Sequence, residues 1–148
     1  MKHTGGCHCG QVKFETDLES MLVAQCNCNT CRRITGSLNF DVMYAEDEIS
    51  IKGETNSYVY KGGSGYDNRA FFCKIYHVRI ATRNDIMDGM VGVSLGTFDK
   101  ANSLRTKLEI WRDEKLDMVE DIKGVVERFK DSGIFERLNA LLEVLKNR

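Results

Sequence analysis

Cys26-Asn27-Cys28-Asn29-Thr30-Cys31-Arg32-Arg33 gathers three thiols and two guanidinium groups into one short stretch. In an extended strand successive side chains alternate faces, so Cys26 and Cys28 point the same way. A turn through Asn29 and Thr30 then brings the sulfur of Cys31 back to the same point. Three thiolates around a zinc ion leave the fourth tetrahedral position open, which is the arrangement of a catalytic rather than a closed structural site. Zinc knuckles and thiol redox motifs share this spacing, so the stretch alone does not choose among them.

Three further cysteines lie outside it: Cys7 and Cys9 in Gly5-Gly6-Cys7-His8-Cys9-Gly10, and Cys73 in Phe71-Phe72-Cys73-Lys74-Ile75-Tyr76-His77. Six cysteines in a secreted domain suggest disulfides, whereas clustered C-x-C spacings in a reducing compartment point to metal. No apolar run follows Lys2 and no stretch reaches bilayer length, so a cytoplasmic protein is expected. Lys and Arg number 21 against 22 Asp and Glu, which gives no global reason to expect nucleic acid or a membrane surface as a partner. At 148 residues the chain has the size of one ordinary domain.

The thiols need strands to hold them. Residues 11–15 alternate polar and apolar as a half-buried strand does, with Cys7 and Cys9 sharing a face at its start, and residues 21–25 deliver the central cluster. Residues 38–44 place Phe40, Val42 and Tyr44 on one side, after a turn at 34–37. Short strands follow at 48–52, 57–61, 68–73, 77–82, 90–95 and 104–111, punctuated by glycine-rich turns in a chain without proline. This spacing argues a mainly β core. After Trp111 the period changes, with Leu116, Val119, Ile122, Val126 and Phe129 at helical intervals, an interruption at Asp131-Ser132-Gly133, and then Leu138, Leu141, Leu142 and Leu145. The expectation is one domain, a β core over residues 1–112 with two C-terminal helices over 113–148. Their apolar stripes would pack on the sheet or serve a homodimer.

Taken in order, the cysteine motifs resemble those of the glutathione-dependent formaldehyde-activating enzyme family, whose relatives include centromere protein V. That family reads Gly-x-Cys-x-Cys-Gly, then Cys-x-Cys-x-x-Cys-Arg, then Phe-Cys-x-x-Cys-Gly. Here the first two motifs are complete, at Gly6 to Gly10 and Cys26 to Arg32. The resemblance implies a β-tent fold of antiparallel sheets with two zinc ions. Carried over by position, Cys7, Cys9 and Cys73 would be structural ligands, and Cys26, Cys28 and Cys31 catalytic ones. The implied reaction is addition of glutathione to formaldehyde.

The third motif departs from this pattern. Tyr76 stands where the fourth structural cysteine is expected, and His77 where the family has glycine. A phenol is a poor ligand at neutral pH because its pKa is about 10 and the metal wants the anion, whereas imidazole is a good one. Either His77 replaces the missing thiolate, or His3 or His8 does, or the structural site is weakened.

Three thiolates donate strongly and should acidify bound water less than three histidines do. The open position therefore suits a thiol substrate such as glutathione, oriented to meet an aldehyde carbon. Arg32 and Arg33 would clamp a substrate carboxylate, or else form surface ion pairs. Tyr58, Tyr60, Tyr66 and Phe72 would wall a pocket or join the core. Three functions are thus carried forward: a carbon-sulfur lyase-like enzyme handling thiol/aldehyde adducts, a zinc-stabilised protein-interaction module without turnover, and a redox protein using Cys28 and Cys31.

Overall fold

The computed structural model describes residues 2–148. Its strands are β1 (His3–Gly6), β2 (Lys13–Thr16), β3 (Leu22–Cys26), β4 (Asn39–Ala45), β5 (Ser50–Lys52), β6 (Thr55–Lys61), β7 (Asp67–Cys73), β8 (Arg79–Asn84), β9 (Met90–Ser94), β10 (Leu108–Ile110) and β11 (Glu127–Arg128). Two α-helices accompany them, α1 (Asn29–Thr35) and α2 (Ile134–Lys146). The strands form two open sheets, a small one ordered β1-β2-β5 and a large one ordered β11-β10-β3-β4-β9-β8-β7-β6. Neighbours run antiparallel except at one edge, where β10 pairs parallel with both β3 and β11. The mainly β expectation holds. No described helix is long and apolar enough to cross a membrane.

Strand alternation divides the large sheet into two faces with different work. Val23 of β3, Val42 and Tyr44 of β4, and Val91 and Val93 of β9 point into a core shared with Val12 and Phe14 near the small sheet, where the Phe14 and Phe98 rings meet edge-on at 4.8 Å. Their neighbours Ala24, Cys26, Asp41, Met43 and Gly92 face the other way, onto a cavity. One end of that second face is covered by α2, whose Leu141 is buried against Met21, Met43 and Met87. The stripe of Leu138, Leu141 and Leu145 is thus occupied by packing within the chain.

Of the two helices expected after Trp111 only α2 forms, and the other α-helix among the described residues lies instead beside the central cysteines. The reason is a carboxylate. Glu109 is 1% exposed on β10 and is met by Arg112 at 3.0 Å, Lys115 at 3.0 Å and Arg128 at 3.2 Å. Asp121 binds Arg112 and Lys115 in turn, at 2.9 and 2.6 Å. A helix rising about 1.5 Å per residue would put residues 112 and 128 roughly 24 Å apart. Such a span cannot converge on one carboxylate, so the segment folds around it and Arg128 enters β11, paired with Glu109.

Burial pushes the Glu109 carboxyl up, but hydrogen bonds from Lys115 and Asn27 and the nearby cationic charges outweigh it and hold it below the ordinary value of 4.5. Its contribution to stability is therefore complete above that value and is lost as pH falls through the lower folded pKa. Glu109→Gln should cost about 2 kcal/mol at pH 7, since three cations lose their charge-assisted bonds to it and keep only Asp121 as an anionic partner. It should also remove this group's share of the acid sensitivity, and denaturant titrations between pH 7 and pH 3 measure both effects.

Candidate functional site

Cys26 closes β3, opposite Asn39 of β4 and Ile110 of β10. The next residue fastens the strand end: the Asn27 N–H donates to the Ile110 carbonyl at 3.1 Å, and its side-chain amide donates to the Glu109 carboxylate at 3.0 Å. Cys28 then caps α1, its sulfur accepting the Cys31 N–H at 3.2 Å in the manner of an N-cap oxygen. The expected turn through Asn29 and Thr30 is replaced by this helix, which also takes up residues 34 and 35 of the turn expected at 34–37 and leaves the bend to Gly36, its C-cap with φ +70°, and Ser37. A helical turn is what returns Cys31, whose sulfur lies 3.7 Å from that of Cys26. All three sulfurs fall within 4.8 Å of one another.

That spacing fits a metal ion. A metal–sulfur bond of about 2.3 Å in tetrahedral geometry sets sulfur atoms about 3.8 Å apart. Without a cation the three thiols cannot all ionise. Hydrogen bonds from the Cys26 and Cys31 thiols, then backbone N–H groups, hold Cys28 far below its ordinary pKa of 9.0 against the effect of burial. Cys26 is pushed well above it, by its hydrogen-bonded neighbours Cys28 and Cys31 and by burial. Cys28 therefore gives up its proton more readily than Cys26 does.

Cys7, Cys9 and Cys73 make a second triad. Cys7 and Cys9 converge through a turn between β1 and β2, rather than on one strand face: the Gly10 N–H reaches the Cys7 carbonyl at 2.9 Å and Gly10 has φ +76°. Sulfur separations are 3.3 Å for Cys7 to Cys9 and 3.5 Å for Cys9 to Cys73, again near a tetrahedral edge and far from a disulfide bond. His77 is not in the group. Its side chain is exposed, and its N–H donates to the Cys73 carbonyl at 2.9 Å from a backbone at φ +57°. This left-handed conformation favours glycine and is tolerated by histidine better than by most residues, which accounts for a histidine where the family motif has glycine. Tyr76 is exposed, with its ring edge-on to His8 at 6.0 Å, and His3 is hydrogen-bonded to Glu19.

The central triad opens on a cavity of about 90 Å³, room for more than one water molecule. β3, β4 and β9 form one wall, and α2 contributes Arg137 and Leu141 to another. Trp111 and the Gly62-Gly63-Ser64 loop also line it, packed so closely that a Cβ on Gly63 would come within 2.6 Å of the indole ring. Arg32 and Arg33 do not line the cavity: Arg32 hydrogen-bonds the Asn29 side chain and Arg33 is exposed. The cations that do are Arg79 and Arg137. Arg79 is buried and committed to Asp41 at 2.7 Å, with Asn39, Thr82 and Ser94 as further partners. Arg137 carries a legible signal, a charge four residues before Leu141 on the face the helix buries. Of the expected aromatic wall only Tyr60 takes its place, while Tyr58 and Tyr66 are exposed.

The sequence model of the family described as glutathione-dependent formaldehyde-activating enzyme matches residues 2–114. Among solved structures, a crystal structure of a Rhodobacter sphaeroides protein superposes with a TM-score of 0.51 at 19% identity, covering 85% of this chain and 98% of that one. At that identity the likeness speaks for the fold. Elemental analysis of the purified protein should find two metal ions per chain, and Cys28→Ser and Cys9→Ser should each lose one of them. Two ions retained by Cys28→Ser would remove the central triad as a ligand set.

Proposed function

The chain belongs to the glutathione-dependent formaldehyde-activating enzyme family, and on that premise we propose that it is a zinc-dependent carbon-sulfur lyase-like enzyme. It would make and break adducts between a small thiol and an aldehyde, as S-(hydroxymethyl)glutathione synthase does. The observation that carries this reading is the position of the Cys26, Cys28 and Cys31 triad in the wall of a cavity lined with both apolar and ionic side chains. A role with glutathione and six free thiols also fits a reducing, cytoplasmic compartment.

A zinc ion held by the three cysteines would supply an open position at which a thiol sulfur is kept anionic and oriented. The chain's own residues do the rest. As the sulfur electron pair forms the new bond to the aldehyde carbon, the carbonyl π pair moves to oxygen, which must be protonated. Tyr60 is assigned as the donor. Burial, the largest influence, raises its phenol pKa, so near neutral pH it is fully protonated and holds the proton that the oxygen takes. In the reverse direction the phenolate takes that proton back as the carbon–sulfur bond breaks. Asp41, ion-paired with Arg79, lines the cavity beside Met43, Met87 and Leu141, whose apolar side chains would exclude water from it.

Zinc-loaded protein should convert glutathione and formaldehyde faster than the uncatalysed mixture, and Cys31→Ser should abolish the difference. Tyr60→Phe should lower kcat about 10²-fold while leaving KM nearly unchanged, the expected loss of a donor to developing negative oxygen. Turnover no faster than the uncatalysed rate in zinc-loaded protein would refute the reading.

A further inference from the structure

Arg137 is the feature of the cavity that the chemistry above does not use. It lies on α2, outside the residues that the family match covers, and lines the same cavity as the central triad. Its Nε–H is buried without a hydrogen-bond partner, and its guanidinium forms no hydrogen bond or ion pair with any described residue. A buried donor left unpaired is costly, and on a half-buried guanidinium that lines a cavity it marks a place where an acceptor arrives with a ligand. The neighbouring acid is not that acceptor, because Asp41 is held by Arg79.

We propose that Arg137 is a specificity residue that binds a carboxylate of the thiol substrate while the sulfur sits at the Cys26, Cys28 and Cys31 centre. This rests on the thiol-binding reading given above. Planar guanidinium groups bind carboxylates through two parallel hydrogen bonds, which fixes both distance and orientation. Nε–H paired with a terminal N–H offers such a face. The position on α2 explains how it is held: Leu141, one helical turn further on, is buried at 1% exposure and anchors that side of the helix against Met21, Met43 and Met87. Nothing in residues 2–114 supplies this contact, because Arg79, the other cation in the cavity wall, is already paired. The ligand class is therefore a thiol that also bears a carboxylate. A neutral thiol would leave Arg137 unpaired and bind more weakly.

Trp111 is the chain's single tryptophan and lines the cavity, so its fluorescence reports occupancy without any turnover. The zinc-loaded protein is titrated with glutathione and with glutathione diethyl ester, which keeps the thiol and lacks both carboxylates. Wild type should prefer glutathione by about 10-fold or more, as expected for one charge-assisted pair. Arg137→Met, which keeps the aliphatic stem, should abolish that preference with the zinc content unchanged, and Arg137→Lys should restore part of it. A preference that survives in Arg137→Met would overturn the proposal, as would wild type showing none. Loss of zinc in both variants would also overturn it, since Arg137 would then serve as a counter-charge to the thiolates. The preference and its loss in Arg137→Met, found without measurable turnover, would uphold this inference while refuting the lyase reading. Turnover with no carboxylate preference would do the reverse.

Discussion

Three sulfur atoms held within van der Waals contact cannot all be thiolates unless a cation stands between them. At the 3.7 Å that separates Cys26 from Cys31, two unit charges repel by about 4 kcal/mol even at an effective dielectric of 20. The protein eases this locally by making Cys28 the more readily ionised partner of Cys26, with the N–H of Cys31 at the start of α1 donating to its sulfur. Such an arrangement is poised for a metal. A dication displaces the remaining thiol protons as it enters, so affinity depends on pH.

Everything that positions this centre follows from the alternation of the large sheet. Val42 and Tyr44 bury against the small sheet, while Asp41 and Met43, between and beside them, face the cavity. The same parity sets Ala24 and Cys26 on the cavity side of β3 and Val23 on the core side. A register slip of one residue would exchange the two sets and abolish core and site together. This ties the stability of the fold to the placement of its chemistry. The cavity face also tolerates a buried ion pair, Arg79 with Asp41, because the guanidinium has polar partners on three strands.

The C-terminal segment completes the site from outside the region that the family pattern describes. Glu109 draws Arg112, Lys115 and Arg128 around one edge of the sheet and, through Asn27, fastens the strand end that carries Cys26. A buried charge cluster of this kind contributes less to stability than its short contacts suggest, because desolvation offsets much of the attraction. Its larger effect is on position. With the chain tied down at this edge, α2 returns across the cavity face and brings Arg137 towards the thiols.

The amino-acid sequence by itself determined what depends on near neighbours. Alternation foretold most of the strands, and the C-x-C and C-x-x-C spacings picked out the central thiols and the Cys7 and Cys9 pair because a few residues of backbone suffice to bring them together, whereas Cys73, 64 residues from Cys9, was placed with that pair by the family resemblance alone. The spacing of Leu138, Leu141 and Leu145 foretold α2. The fate of residues 116–129 was not legible, because apolar periodicity there competes with charges whose common partner, Glu109, is placed by strand pairing with β3. Arg32 and Arg33 looked like substrate clamps because they adjoin a ligand in sequence, yet helix geometry turns them from the cavity. Arg79 and Arg137 reach it from β8 and from α2. Which cations face a site is decided by long-range packing, since a side chain's direction depends on the element that carries it and on where that element docks, and only tertiary structure specifies the second.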